Sequence, residues 1–378
     1  MQAVGASGTI ALVNRPWLSA TLLFAWCGTA SLFAQAPAAP PPAATAPAPS
    51  YPNVRVGATL FTDYTYTASP ESTDADGNKY SPSSFNLARS YLNVTGNLSR
   101  VIAFRFTPDI AQETGTGSAL NGSLIFRVKY AYLQANLDKW IAPGVWLRFG
   151  MQGTGYVNFA EDLYRYRFQG PIMVDREGYL LSSDAGVAFH YNLPSDYGEI
   201  QVGAYNGETY KKLEVNDQKS LQIRGTVRPF AKAAPVLRGL RVTGYYDGDH
   251  YVKNADRMRA VGSVTFEHKY LNTAFEYLDA ADQPAAGAAK VDSSGYSVWA
   301  TPRSTKGWEG LFRYDHLTLN TARDELKTRT IVGGAYWVPL QAGLSTVFLL
   351  DYEQVAYDRL LVPRPTEKRI ALHVLLSF

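Results

Sequence analysis

The chain is short of the residue types on which much enzyme chemistry is built. Among its 378 residues there is one cysteine, Cys27, and it falls in an N-terminal stretch that reads as a leader. The remainder therefore has no thiol, which excludes disulfides, thiol catalysis and cysteine-ligated metals together. There are 5 histidines and no His-x-x-x-His spacing, no acidic cluster and no glycine-rich phosphate loop. His373 shares a strand face with Ser377, but the extended chain between them spans about 13 Å, too far for a nucleophile and its base. Neither an enzyme nor a cofactor is expected. A formal charge of +3, or +2 once Arg15 of the leader is set aside, offers no surplus for a nucleic-acid partner. Beyond Val54 no apolar run reaches the roughly 18 residues of a membrane-spanning helix.

The first 34 residues fit a secretory signal: Arg15, then the apolar WLSATLLFAWCGTASLFA, then small residues. Cleavage after Ala34 is expected. Cleavage after Ala36 fits the small-x-small rule better but places Pro37 directly after the cut. A membrane anchor is the other reading of this run. Trp26 is too bulky to precede a lipid-acceptor cysteine, so Cys27 leaves with the leader. Residues 35–53 alternate Ala and Pro, favour polyproline II and build no core; they read as a linker.

From residue 54 to 378 the pattern changes to period two, the strand signal. VRVGATLFTDYTY sets Val56, Ala58, Leu60 and Tyr64 against Arg55, Thr59 and Asp63. VIAFRFTPD sets Ile102, Phe104 and Phe106 against Arg105, Thr107 and Asp109. Sixteen such segments begin near Val54, Phe85, Val101, Leu124, Val145, Asp184, Gly198, Leu221, Leu240, Arg257, Asn272, Gly295, Trp308, Lys327, Thr346 and Glu367. Connections after even-numbered segments are mostly short (NLSR, NLPSDY, HKYLN), whereas those after odd-numbered ones are mostly longer and polar (AQETGTGSALNG, NGETYKKLEVNDQ, HLTLNTARDEL). An even number of antiparallel strands with short turns at one end and long loops at the other predicts an all-β fold, a 16-stranded antiparallel transmembrane β-barrel of the bacterial outer membrane. The ending RIALHVLLSF supports it. Ile370, Leu372, Val374, Leu376 and Phe378 would face lipid on a last strand that closes against the first and leaves no edge. Aromatics near strand ends (Tyr64, Tyr66, Trp140, Trp146, Trp337, Tyr352, Tyr357) are expected in the interfacial girdles.

The opposite faces would line a hydrated lumen, carrying Arg89, Arg105, Arg127, Lys129, Arg148, Arg224, Arg228, Arg241, Arg257, Arg259, Arg313 and Arg369 with Asp63, Asp109, Asp247, Glu267, Asp315, Asp351 and Glu353. A basic excess there would favour anions. Cross-strand pairing of these same residues is the alternative. One connection, residues 153–183, is far longer than the others, and aromatic and charged rather than Ser/Gly-rich. It is expected to fold into the lumen and place Arg165, Arg167, Asp175, Arg176 and Glu177 at a constriction; an outer lid is the other placement.

LRFGMQGTGYVNFAED, VDREGYLLSSDAGVAFHYNL, QVGAYNGE and GTVRPF follow one another as in the phosphate-selective porin O and P family, which the chain resembles from about Val54 to Phe378. The resemblance implies a homotrimeric sixteen-stranded porin with the third loop inside the pore. The family's arginine ladder and lysine cluster serve phosphate; here the third loop has no lysine and the wall is mixed in sign. The expected function is passive diffusion of small hydrophilic solutes, anions preferred and phosphate-like anions among them, with membrane lipids as the surrounding partner. A surface receptor or adhesin, or a membrane-embedded hydrolase, is the alternative use of such a barrel. A plugged active transporter would need more strands and an N-terminal plug.

Overall fold

The computed structural model describes residues 50–378, apart from 116, 234 and 342. The expected signal and most of the Ala/Pro linker, 1–49, lie outside the described residues. Among the latter, sixteen strands form one closed sheet: β1 (Asn53–Ser69), β2 (Ser83–Asn97), β3 (Ile102–Gln112), β4 (Leu124–Asn136), β5 (Trp146–Gly153), β6 (Ser183–Asn192), β7 (Gly198–Tyr205), β8 (Ser220–Val227), β9 (Leu240–Val252), β10 (Ala255–His268), β11 (Leu271–Asp282), β12 (Val291–Pro302), β13 (Trp308–Asn320), β14 (Glu325–Trp337), β15 (Ser345–Asp358) and β16 (Glu367–Ser377). Each pairs antiparallel with its neighbour in sequence.

The seam is closed by β16 on β1, in register from Thr59↔Ser377 to Thr67↔Arg369. Ala58 and Phe378 exchange both backbone hydrogen bonds, at 2.9 and 3.0 Å. Gly57 permits this approach, since a Cβ there would lie 2.4 Å from the Phe378 carbonyl oxygen. Pro108, which cannot donate to a ladder, sits where the β3–β4 register shifts, as a proline inside a sheet must.

Side chains alternate as the period-two reading requires. Val56, Phe106, Phe149, Ile223, Phe275, Leu350 and Leu372 are exposed on the outside. Their sequence neighbours Arg105, Arg148, Arg224, Glu276, Asp351 and His373 turn inward. A soluble protein rarely leaves more than roughly a few hundred Å² of contiguous apolar surface in water, and strand after strand here does so around the barrel. The barrel is a transmembrane one.

Two expectations are corrected. Trp146, Trp337 and Tyr357 do not join the outer girdle. They share the inward parity of Arg148, Ala335 and Val355, so Trp146 stacks on His190 (5.0 Å between rings) and the Trp337 indole donates to Tyr166 Oη (3.2 Å). Tyr64 does face outward, paired with Phe85, and Trp308–Tyr336 and Phe275–Tyr296 are further outer pairs. The connection HLTLNTARDEL is not a long loop, because β13 and β14 run through it and leave only residues 321–324 as a turn. Above the membrane, water supports polar strand faces as well as polar loops, so polarity alone does not end a strand.

Candidate solute passage

Residues 154–182 leave β5 and return to β6 through the barrel interior. Helix α1 (Val157–Tyr164) buries Val157, Ala160, Leu163 and Tyr164, the one-sided spacing of an amphipathic helix. It ends at Arg165, whose left-handed backbone (φ 66°) turns the chain across the lumen towards the short helix α2 (Met173–Arg176). The buried face packs against inward apolar residues of the far wall, among them Leu278, Trp299, Leu311, Ile331 and Leu349. Burial of each large apolar side chain contributes roughly 1.5–3 kcal/mol.

Polar contacts fix the loop along its length. Tyr156 donates to Glu276 (2.7 Å), Tyr166 to Glu309 (2.9 Å), Arg313 to the Pro171 carbonyl (2.7 Å) and Arg259 to the Tyr179 carbonyl (3.1 Å). Lys327 and Arg329 hold the two carboxylate oxygens of Glu177 (2.6 and 2.7 Å). Glu353 is a hub: Arg176 (2.9 Å), Arg329 (2.5 Å), Arg369 (2.7 Å) and Gln169 (2.9 Å) all donate to it. Glu353→Gln would leave three guanidiniums around an uncharged amide. Breaking a buried ion pair typically costs about 3–5 kcal/mol, so heat-induced loss of the folded barrel band on a gel should move to clearly lower temperature.

The loop leaves the lumen open on the β1–β4 side. An outer cavity of about 530 Å³ is lined by Asp63, Arg89, Arg167, Asp175, Arg176, Lys211, Arg369 and the ring of Phe168. An inner cavity of about 390 Å³ is lined by Arg105, Lys129, Glu161, Asp162, Arg165, Arg167 and Trp337. Arg167 lines both. It pairs with Glu161 and with Asp175 (2.9 Å). Between the cavities Phe61 meets Tyr91 edge to face (5.7 Å) and Phe168 (6.5 Å). The Tyr91 hydroxyl accepts from both Arg89 and Lys129, each at 3.3 Å. On the other side of the loop a cavity of about 50 Å³ is lined by Asp184, Asp247, Asp249, Arg257 and Arg259, and one of about 370 Å³ by Asp162, Asp196, Glu199, Arg228, Arg241 and Glu267.

The expected site residues therefore divide into groups. Arg105, Arg165, Arg167, Asp175 and Arg176 are brought together around the two cavities, and Asp109 lies just beneath, accepting from Tyr210 (2.9 Å). Glu177, Arg313, Asp315 and Glu353 are buried where the loop docks; Arg313 and Asp315 pair at 2.7 Å. Arg228 and Arg241 pair with Asp196 and Glu267 near the short-turn end, and Arg224 pairs with Glu199 (2.5 Å). Arg148 rests on the rings of Trp146 and Tyr132. Asp247 accepts from Ser220 (2.7 Å) in the small cavity, and Asp351 lies 3.1 Å from His373. Pairing between neighbours accounts for most of these last residues. Missing from the expected constriction were Phe61, Tyr91, Phe168 and Lys211. Phe61 left a signal: it is an aromatic on the polar parity of β1, between Thr59 and Asp63.

Glu177 gives the loop a pH dependence. Burial pulls its carboxyl up, but the Lys327 hydrogen bond and the Arg329 charge outweigh this and hold it below the ordinary carboxylate range. A depressed carboxyl stabilises the docked loop above the unfolded value of about 4.3 and loses that contribution as pH falls through the folded value. Channel current should accordingly become noisier below about pH 4 than at neutrality, and Glu177→Gln should show the same noise at pH 7 with a weaker acid response.

No family model and no curated protein matches the chain. Solved structures do. The outer membrane channel DcaP of Acinetobacter baumannii superposes with a TM-score of 0.59 at 12% identity, covering 86% of this chain and 97% of that one. The fold is that of the outer-membrane porins. OmpT of Vibrio cholerae gives 0.58 at 14% identity over 88% of this chain and 99% of its own. The anion-selective porin from Comamonas acidovorans gives 0.56 at 11% over 86% and 100%.

Proposed function

We propose that the protein is a diffusion channel of the bacterial outer membrane, passing small hydrophilic solutes and preferring anions. The observation that carries this is the basic excess in the cavities that the loop leaves open on the β1–β4 side. The open cavities on the β1–β4 side carry Arg89, Arg105, Lys129, Arg165, Arg167, Arg176, Lys211 and Arg369 against Asp63, Glu161, Asp162 and Asp175. The small cavity on the loop's other side is nearly balanced, with Asp184, Asp247 and Asp249 facing Arg257 and Arg259. Fixed charge in a narrow, low-dielectric passage concentrates the opposite ion. Arg105 and Lys129 add to the effect because, among the described residues, neither is in an ion pair; Arg105 bonds Asn93 (3.0 Å) and Lys129 bonds Tyr91.

Sixteen strands, a third loop in the lumen and an arginine-rich wall also support kinship with the phosphate-selective porins. A homotrimer fits the same reading; a Vibrio cholerae neighbour of this fold is described in trimer form. The test is the reversal potential of the purified protein in a planar bilayer under a KCl gradient. A chloride-side potential is expected. A potassium-side potential would overturn the anion preference, and a folded barrel without conductance would overturn the channel.

A further inference from the structure

Resting on that channel reading, we infer that the solutes favoured at the narrow point are carboxylates with a flat apolar body, such as arenecarboxylates, rather than phosphate. The cations along the passage are set on or beside aromatic rings. Phe61 lies directly opposite Arg89 in the β1–β2 ladder, on the inward face, flanked in its row by Thr59 and Asp63. The loop brings Phe168 to it, beside Arg167. One step further in, Lys129 stands 4.8 Å from the Tyr91 ring, Arg105 lies 4.3 Å over Tyr130, and Arg165 lies 4.1 Å over Trp337.

This arrangement suits one chemistry better than another. A phosphate ion is held by several donors converging on one strongly hydrated centre, and it regains nothing from a ring face when water is stripped from it. A planar carboxylate engages a guanidinium with two parallel bonds, while its ring recovers part of the cost of desolvation against the edges of Phe61 and Phe168, which reach the cavity although the two residues are only 8% and 4% exposed. The phenylalanines cap the outer cavity and the cations flank them, so one molecule meets both. Docking of the loop tip alone would explain Phe168 against Phe61. It would not explain why ring and cation recur together on both sides of the narrow point.

The experiment is block of chloride current in a planar bilayer by benzoate, acetate, cyclohexanecarboxylate and inorganic phosphate, each at equal concentration. Benzoate should half-block at about tenfold lower concentration than acetate, which is 1.4 kcal/mol of preference, with phosphate weaker than benzoate. Phe168→Ala should remove most of the difference, and Phe61→Leu should reduce it. Equal block by benzoate and acetate in the unaltered protein would overturn the inference while the anion channel stood. Stronger block by phosphate would overturn it in favour of a phosphate site. Block by cyclohexanecarboxylate equal to that by benzoate would refute the ring-stacking account. A cation-side reversal potential would instead remove the channel reading beneath it.

Discussion

Replacing residues 157–180 by a short Gly/Ser turn is expected to raise single-channel conductance several-fold and to erase the anion preference. The loop occupies the lumen along β8–β15, where Glu276, Glu309, Arg313, Glu177 with Arg329, and Glu353 fasten it to the wall. Its removal joins that space to the β1–β4 passage. The wall thus uncovered is close to neutral in effect, since Arg259–Asp282 (2.7 Å), Arg313–Asp315 and Arg329–Glu353 pair within it. A wide pore with self-paired walls screens its charges in salt and selects weakly. The cost is the exposure of Leu278, Leu311, Ile331 and Leu349 to lumen water, at roughly 1.5–3 kcal/mol each. The sheet itself loses no ladder, so the variant should still migrate as a folded barrel but unfold at a lower temperature. Unchanged conductance from a folded deletion variant would mean that the loop does not govern the passage.

The barrel was legible because a membrane imposes its solvent on every strand. Lipid outside and water inside force a period of two that survives any sequence change short of a register slip. All sixteen strand starts fall within a few residues of the segments read from the pattern, and Ile370, Leu372 and Phe378 face outward on β16. Parity told inside from outside for Arg105, Arg224 and Glu353 alike, yet could not say which inward residues meet water. That depends on where the third loop docks, which no local pattern encodes. The clue was present in an unread form: Leu278, Leu311, Ile331 and Leu349 are apolar on the inward parity, which a water-filled wall does not explain and a docked loop does. Trp146 and Trp337 misled because an aromatic near a strand end suits an interfacial girdle and a cation–π shelf equally well. Parity settles the case for each: Trp337 lies under Arg165 and Trp146 under Arg148.

Arg167 is where a single substitution should move selectivity furthest. It lines both open cavities and is the partner of Glu161 and Asp175, one on α1 and one on α2. Arg167→Glu would replace a cation between two carboxylates by a third carboxylate, a change of two charges where the two cavities of the proposed passage meet. One unit charge at 4 Å is worth about 1 kcal/mol in bulk water and about 4 kcal/mol near a protein surface, so the permeability ratio should shift at least about tenfold, towards cations. Arg167→Ala should move it the same way by less. Glu161→Gln removes a negative charge from the same trio and should move the reversal potential in the opposite direction, further to the anion side. The pair of variants separates charge from disorder. If loss of the Arg167–Glu161 contact acted by loosening α1, Arg167→Ala and Glu161→Gln would shift the potential in the same direction and raise conductance together. If fixed charge at the narrow point sets selectivity, the two shifts have opposite signs, and both shrink as the salt is raised and the Debye length falls from about 10 Å at 0.1 M to about 3 Å at 1 M.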